Sequence, residues 1–183
     1  MKALYVIAGV TVLLGALGAL IIPGLLPGSR GQPTHWPPPR LLKEFATCQK
    51  DFFNNDRDRN GKQDFWRQDI AGLYTLNYPD GERIRLISQQ LACADDRPLA
   101  NRAELGAKAP VEGYWFRAIR HADEAKLSPD RFAACAFPDR YPESGRETFI
   151  IDEREIIYKK DLGKSGGIEL FPTDPLKEGW RRE

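Results

Sequence analysis

The sequence is poor in the residue types that build most catalytic and metal centres. It contains two histidines and three cysteines among 183 residues. Cys48, Cys93 and Cys135 form no CxxC pair and have no histidine at zinc-site spacing. No G-x-S-x-G, H-E-x-x-H, phosphate-binding glycine loop or dinucleotide fingerprint occurs either. These absences give no support to hydrolase, zinc-enzyme or nucleotide-dependent activities, and we predict a protein without catalytic activity.

An excess of charge of one sign is also lacking. Lysine and arginine total 27 and aspartate and glutamate total 26, so the formal net charge is +1. Nucleic-acid-binding domains usually carry a basic excess or stripe. Since neither is present, we expect no nucleic-acid partner. Mixed charges are typical of a solvated surface, where we place the acid pair Asp95 and Asp96 and the pair of His121 with Asp123.

The longest feature of the sequence is a stretch without any charge, at residues 3–28. It can cross the roughly 30 Å hydrocarbon core as a helix of about 20 residues. It is longer than the apolar part of a cleaved signal peptide, which is about 7–15 residues. We predict a retained transmembrane helix at residues 1–28, with a cleaved signal as the alternative. The side chains predicted to contact the lipid bilayer are Leu4, Val6, Leu13, Leu14, Leu20 and Ile21.

A proline-rich segment follows the predicted anchor. Residues 29–40 contain Pro33 and three consecutive prolines at 37–39. Proline has no amide hydrogen and fixes φ, which excludes a continuous helix and favours extended polyproline geometry. We interpret this segment as a semi-rigid stalk that carries a folded domain at residues 41–183.

The pattern of apolar residues in the remainder predicts an α+β domain. Leu41, Phe45 and Phe52 recur at helical spacing after the prolines. A short second helix is predicted within residues 64–76, and another at residues 82–95. Aromatic and β-branched residues then dominate four short segments separated by turn residues. The predicted strands are residues 113–120, 131–137, 147–153 and 155–161. Helices followed by strands favour a helix packed on an antiparallel meander.

The most specific local motif is the stretch NNDRDRNGKQDFW at residues 54–66. From its first aspartate it matches an EF-hand-type loop as D-x-D-x-N-G-x-x-D. Alternate residues of a tight loop can direct their oxygens to one centre, and calcium takes six to eight oxygens. Calcium is therefore the candidate cofactor. Its predicted ligands are the side chains of Asp56, Asp58, Asn60 and Asp64 and the carbonyl of Lys62.

The calcium motif is incomplete at its last position. Arg67 occupies position twelve, where the EF-hand rule requires a glutamate. Turn and capping chemistry explains the same residues without a metal. Asn60 with Gly61 can form a tight turn, and Asp64 can cap a following helix. The calcium site and the metal-free turn both remain open from the sequence.

Several segments together resemble a known group of proteins. The acidic loop before DFW, the strand GYWF, the turn FPDRYPESG and the end YKKDLG resemble an uncharacterised family of pilin-like exported bacterial proteins common in planctomycetes. The resemblance covers about residues 41–163. It implies a pilin-like body, in which an N-terminal helix packs on an antiparallel sheet, and it implies no activity. Type IV pilins, however, continue their membrane segment into one long helix, which Pro23 and Pro27 interrupt here.

These observations lead to one principal functional hypothesis. We expect a non-catalytic, membrane-anchored accessory or structural subunit that binds other membrane or cell-envelope proteins. The charges around the span, Lys2 on one side and Arg30, Arg40 and Lys43 on the other, do not decide the orientation. Partly because the family it resembles is exported, we predict a single pass through the inner (cytoplasmic) membrane, with most of the chain in the periplasm or outside. The alternatives are a pilin-like or pseudopilin assembly subunit and an exported enzyme that uses the Asp-rich loop.

Overall fold

The computed structural model describes residues 37–99 and 105–183. The elements are α1 (Pro38–Asn55), α2 (Gly72–Thr75), α3 (Gln89–Cys93), β1 (Tyr114–His121), β2 (Ala133–Pro138), β3 (Glu147–Asp152), β4 (Tyr158–Asp161), β5 (Leu170–Phe171) and β6 (Arg181–Arg182). No helix among these residues is long and apolar enough to span a membrane. The predicted anchor, its six lipid-contacting residues and the stalk up to residue 36 lie outside the described residues.

The sheet confirms the α+β class and changes one detail of the predicted topology. Its strand order is β5-β1-β2-β3-β4-β6. Strands β1 to β4 pair antiparallel in sequence order, which is the predicted meander. Strand β5, however, runs parallel to β1, so the sheet is mixed and not purely antiparallel. The tail after β4 causes this difference, because it returns to both edges of the sheet.

Helix α1 forms as the proline and apolar pattern predicts. Prolines occupy its first positions, where no intrahelical partner for an amide hydrogen is needed. Leu41, Phe45 and Phe52 lie on its buried face. The helix ends at Asp56, which adopts the left-handed conformation with φ 43° and donates its amide hydrogen to the Phe52 carbonyl. The acidic loop therefore begins directly at the C-terminus of α1.

Two apolar cores cover the two faces of the sheet. The larger core includes α1 together with Tyr114 and Phe116 of β1. The smaller core, on the opposite face, joins Cys135 to Phe171 and Trp180 of the C-terminal tail. Because successive strand residues point to opposite faces, the alternation in β1 supplies both cores.

The predicted helix at residues 82–95 is wrong over its first half. Helix α3 covers only Gln89–Cys93 and begins at Ser88, whose hydroxyl accepts a hydrogen bond from the Leu91 amide. Before Ser88 the chain runs alongside the segment that follows α2. Ile84 donates its amide hydrogen to the Leu76 carbonyl at 2.8 Å, and Leu86 donates to Leu73 at 2.9 Å. These bonds between distant residues outweigh the helical spacing of the apolar positions.

Candidate functional site

The acidic loop turns sharply, as its glycine predicts. Gly61 has φ 76° and Arg59 has φ 53°, so the chain twice enters the left-handed region within a few residues. Gly61 adopts this conformation without a steric penalty, because it has no Cβ. The bend predicted at the sixth position of the calcium motif is therefore present.

Hydrogen bonds within the loop hold it in a closed ring. The Asp56 carboxylate accepts from the Asn60 amide at 3.0 Å and from the Gly61 amide at 2.9 Å. The side-chain amide of Asn60 donates to Asp58 Oδ2 at 2.8 Å, and its oxygen accepts from the Lys62 amide at 2.8 Å. The loop is thus curled by its own side chains, as the turn alternative requires.

Three carboxylates of the loop lie within electrostatic range of one another. Burial raises the pKa of Asp58, and the neighbouring carboxyls of Asp56 and Asp64 raise it further. Like charges held this close are relieved by a proton or by a cation. Among the described residues, however, no group of three or more His, Cys, Asp or Glu side chains is already arranged around one centre. The carboxylates are neighbours, and calcium binding would require them to move closer together.

The twelfth position of the motif holds an arginine, Arg67, where a calcium loop has an acidic ligand. Arg67 Nη2 lies 4.0 Å from Asp64 Oδ2, and half of its side chain is exposed. An arginine cannot coordinate a cation, so any ion at this loop would have an incomplete protein shell at this position. The structure therefore leaves both sequence alternatives for the loop in place.

The exit of the loop is fixed to α1 by a glutamine that sequence reasoning missed. Gln49 is buried in α1, and its side chain exchanges two hydrogen bonds with the backbone of Trp66, at 3.0 and 3.1 Å. The Phe65 amide donates to the Pro129 carbonyl at 2.8 Å. A polar residue on the apolar face of the predicted helix was the available signal for Gln49.

A surface cleft runs beside this loop. One cavity of about 500 Å³ is lined by loop residues and by Arg67, Gln68 and Leu127. A second cavity of about 260 Å³ has the same three residues in its wall. Because they share this wall, the two cavities adjoin, and we call the combined groove the Arg67 cleft. The volume of the first cavity alone is in the range of ordinary ligand sites.

Buried charged residues form the floor of the second cavity. Asp95 is 1 % exposed, which corrects the prediction that it lies on the solvated surface. Burial raises its pKa to about 6, although amide hydrogens from Ala71 and Arg97 act in the opposite direction. Arg117, also buried, contacts Asp96 and binds Glu169 at 2.6 Å. The loop chemistry and this charged floor are thus parts of one groove.

His121 is not the surface residue that the sequence suggested. It is buried, and its Nε2 lies 3.2 Å from Glu153 Oε2 and 3.3 Å from the Phe132 carbonyl. Asp123 instead pairs with Arg131 at 3.0 Å. His121 and Glu153 border a separate cavity of about 150 Å³. This pair connects the end of β1 to the turn after β3.

The three cysteines are free thiols. Cys48, Cys93 and Cys135 form no disulfide. Burial raises the pKa of Cys48 and Cys135 to about 12. Thiols with such a pKa are protonated at neutral pH and are poor nucleophiles.

Comparison with known proteins gives one match. A family described as "Protein of unknown function (DUF2950)" matches residues 41–170. No curated protein and no solved structure matches the chain. The matched range includes the acidic loop, the Arg67 cleft and strands β1 to β4.

Proposed function

The chain belongs to the DUF2950 family of proteins of unknown function, and from this premise we propose that it is a non-catalytic, membrane-anchored accessory subunit. Residues 1–28 would form a single-pass anchor in the inner membrane, and residues 29–40 the stalk. Residues 41–183 would form an exported domain that binds other membrane or envelope proteins. The observation that carries the proposal is the uncharged run at residues 3–28, followed within about ten residues by a folded body.

Calcium fits this proposal as a structural brace and not as a catalyst. The loop that holds Asp56, Asp58 and Asp64 connects α1 to the rest of the domain, and the pKa of Asp58 is raised by burial and by its two acidic neighbours. A bound cation would neutralise them and hold this junction. The intraloop hydrogen bonds of Asp56 already curl the chain, so an ion would find a partly organised site.

A pilin-like or pseudopilin subunit is the second candidate. The packing of α1 on the antiparallel strands β2 and β3 supports a pilin-like body. Pro23 and Pro27 weigh against assembly through one continuous helix. Mass spectrometry of the native N-terminus separates the two candidates. Processing close to the N-terminus together with recovery in filaments would favour the pilin proposal.

An exported enzyme is the third candidate, since a cleft does adjoin the Asp-rich loop. Asp58 has a raised pKa and lines the larger cavity, and such residues are candidate proton donors. The acidic groups, however, have no positioned nucleophile or histidine beside them among the lining residues of that cavity. The binding function therefore remains our first proposal.

Membrane extraction of the full chain tests the anchor. The wild-type protein should stay in the membrane pellet after washing with alkaline carbonate and after washing with high salt. A matched variant, Leu13→Arg with Leu14→Arg, should lose this retention, because each arginine near the centre of a span costs about 2.5–3.5 kcal/mol. Release of the wild-type protein by either wash would overturn the anchor.

A further inference from the structure

The rim of the Arg67 cleft differs in charge from its floor. The lining residues that are exposed carry no acid. They are Asn60, Arg67, Gln68, Arg97, Leu99 and Lys126. The acids of the lining are less exposed than these residues. Asp69 and Asp95 are buried, and Asp58 and Asp64 are partly buried.

Two of the rim cations have little local compensation. The acid recorded near Arg67 is Asp64, at 4.0 Å, which is the outer limit of a salt bridge. Within the described ranges, no salt bridge joins Lys126 to an acid. Arg97, in contrast, binds Glu169 through two hydrogen bonds of 2.9 Å. Arg67 and Lys126 are therefore the two cations most available to an anionic partner.

The acids of the second cavity are occupied by the protein's own backbone. Asp69 accepts amide hydrogens from Gly72 at 3.1 Å and from Leu99 at 2.7 Å. Asp95 accepts from Ala71 at 2.8 Å and from Arg97 at 2.9 Å. Each carboxylate oxygen already has a donor, so these groups hold the wall of the cleft in shape.

Apolar surface stands beside the cations. Leu99 is 49 % exposed, and it is one of three large apolar side chains exposed among the described residues. Leu127, partly buried, lies in the wall that the two cavities share. An apolar side chain of a partner protein would cover Leu99 and remove it from water.

We propose that the Arg67 cleft is the docking site for an acidic segment of a partner protein. Carboxylates of that segment bind Arg67 and Lys126, and an adjacent apolar side chain covers Leu99 and Leu127. The exposed amide of Gln68 offers a donor and an acceptor to the backbone of the segment. This assignment rests on the proposed function, since it specifies the chemistry of the protein partner.

The test uses the full chain in detergent and a short fluorescent peptide in which glutamates alternate with leucines. We expect saturable binding that weakens as salt rises, because the contacts are between exposed charges. Replacing the glutamates by glutamines, or the leucines by serines, should each weaken binding roughly tenfold, as expected for the loss of about 1.4 kcal/mol.

Variants locate the binding site. Lys126→Ala and Arg67→Gln should each weaken binding of the glutamate–leucine peptide severalfold, and together more strongly. Lys177→Ala, a matched control at an exposed lysine paired with Asp174 outside the cleft, should leave binding unchanged. Equal binding of the glutamate and glutamine peptides, or unchanged binding by the double variant, would overturn the proposal.

Two further measurements separate the competing explanations. If an oligogalacturonate binds more tightly than the glutamate–leucine peptide, the cleft is a site for acidic saccharides and the protein-docking proposal fails. Membrane extraction is scored independently of peptide binding. If the chain is released by carbonate but still binds the peptide through Arg67 and Lys126, the anchor proposal fails and the docking proposal stands.

Discussion

Gln49 and Trp66 exchange two hydrogen bonds between a helix side chain and a loop backbone. The Gln49 side-chain amide donates to the Trp66 carbonyl at 3.1 Å, and the Trp66 amide donates to Gln49 Oε1 at 3.0 Å. Gln49 is 1 % exposed, so water cannot replace either bond. This reciprocal pair fixes where the acidic loop ends and where the wall of the Arg67 cleft begins.

Replacing this glutamine should destabilise the whole domain. Gln49→Leu keeps a similar volume but leaves the buried backbone groups of Trp66 without partners. Each unsatisfied group costs about 1–3 kcal/mol, so we expect a loss of about 2–5 kcal/mol in the free energy of unfolding, measured by urea denaturation. The control is Thr47→Ala, at an exposed position of the same helix. A loss no larger than that of the control would mean that the pair does not stabilise the loop.

The acidic loop should bind calcium through the carboxylates of Asp56, Asp58 and Asp64. Calcium added to metal-free protein at about a hundredfold excess over its Kd should raise the free energy of unfolding by about 2.7 kcal/mol. Asp58→Ala should remove this increase, while Asp174→Ala, at an acid outside the loop, should retain it. Melting curves that coincide in calcium and in chelator, recorded on protein shown to be metal-free, would leave turn chemistry as the whole explanation of the motif.

Gly72 lies too close to Trp66 to accept a side chain. A Cβ built at Gly72 would lie 2.3 Å from Trp66 Cζ2 and 2.7 Å from Asp69 Oδ1. Gly72→Ala must therefore displace the indole, which donates its Nε1 hydrogen to the Asp69 carbonyl at 2.7 Å. Overpacking of this kind costs about 1–3 kcal/mol. Thermal melting of Gly163→Asn supplies the control. It places a side chain in open space at φ 67°, a conformation that asparagine adopts more readily than most residues, so it should lose less stability than Gly72→Ala.

Local patterns predicted the parts of the fold that local forces determine. The proline start and apolar stripe of α1 and the four strands β1 to β4 were all visible as short-range periodicity. The predicted helix at residues 82–95 was wrong over its first half, because the amides of Ile84 and Leu86 bond to residues on the other side of a turn. Strand β5 was also missed, since only its parallel contact with β1 makes its two residues a strand.

The sequence predicted the acidic loop of the candidate site but not the Arg67 cleft beside it. The D-x-D-x-N-G spacing indicated the sharp bend that the structure has at Gly61, and calcium binding by its carboxylates stays a prediction. The Arg67 cleft depends on Leu127 and Arg117, which are distant in sequence from the loop. Contacts of this kind arise from packing between distant segments of the chain, which short-range periodicity in the sequence does not encode.

The pairing of His121 with Glu153 should make stability depend on pH in a defined direction. The hydrogen bond to Glu153 raises the pKa of His121 above its ordinary value of 6.5, although burial and Arg131 act in the opposite direction. Burial is the largest single influence on Glu153 and acts to raise its pKa. The hydrogen bond and charge of His121, a backbone hydrogen bond and the charge of Arg154 together outweigh burial and lower this pKa below its ordinary value of 4.5. Both shifts favour the charged pair in the folded state.

The attraction between the two side chains is therefore strongest between pH 4.5 and 6.5, where the folded protein holds both charges. The contribution of His121 is complete below 6.5 and is lost as the pH rises through the raised pKa of the folded state. The contribution of Glu153 is complete above 4.5 and is lost as the pH falls through its lowered pKa.

Urea denaturation across this range should show His121→Gln furthest below wild type between pH 4.5 and 6.5, with the gap narrowing toward alkaline pH. Glu153→Gln should give a similar profile, because it removes the other half of the same pair. Asp174→Asn, which changes a partly buried acid paired with Lys177, should keep the wild-type slope above pH 6.5. A gap between His121→Gln and wild type that stays constant with pH would mean that His121 is neutral in the fold, and that its role is only to donate to the Phe132 carbonyl.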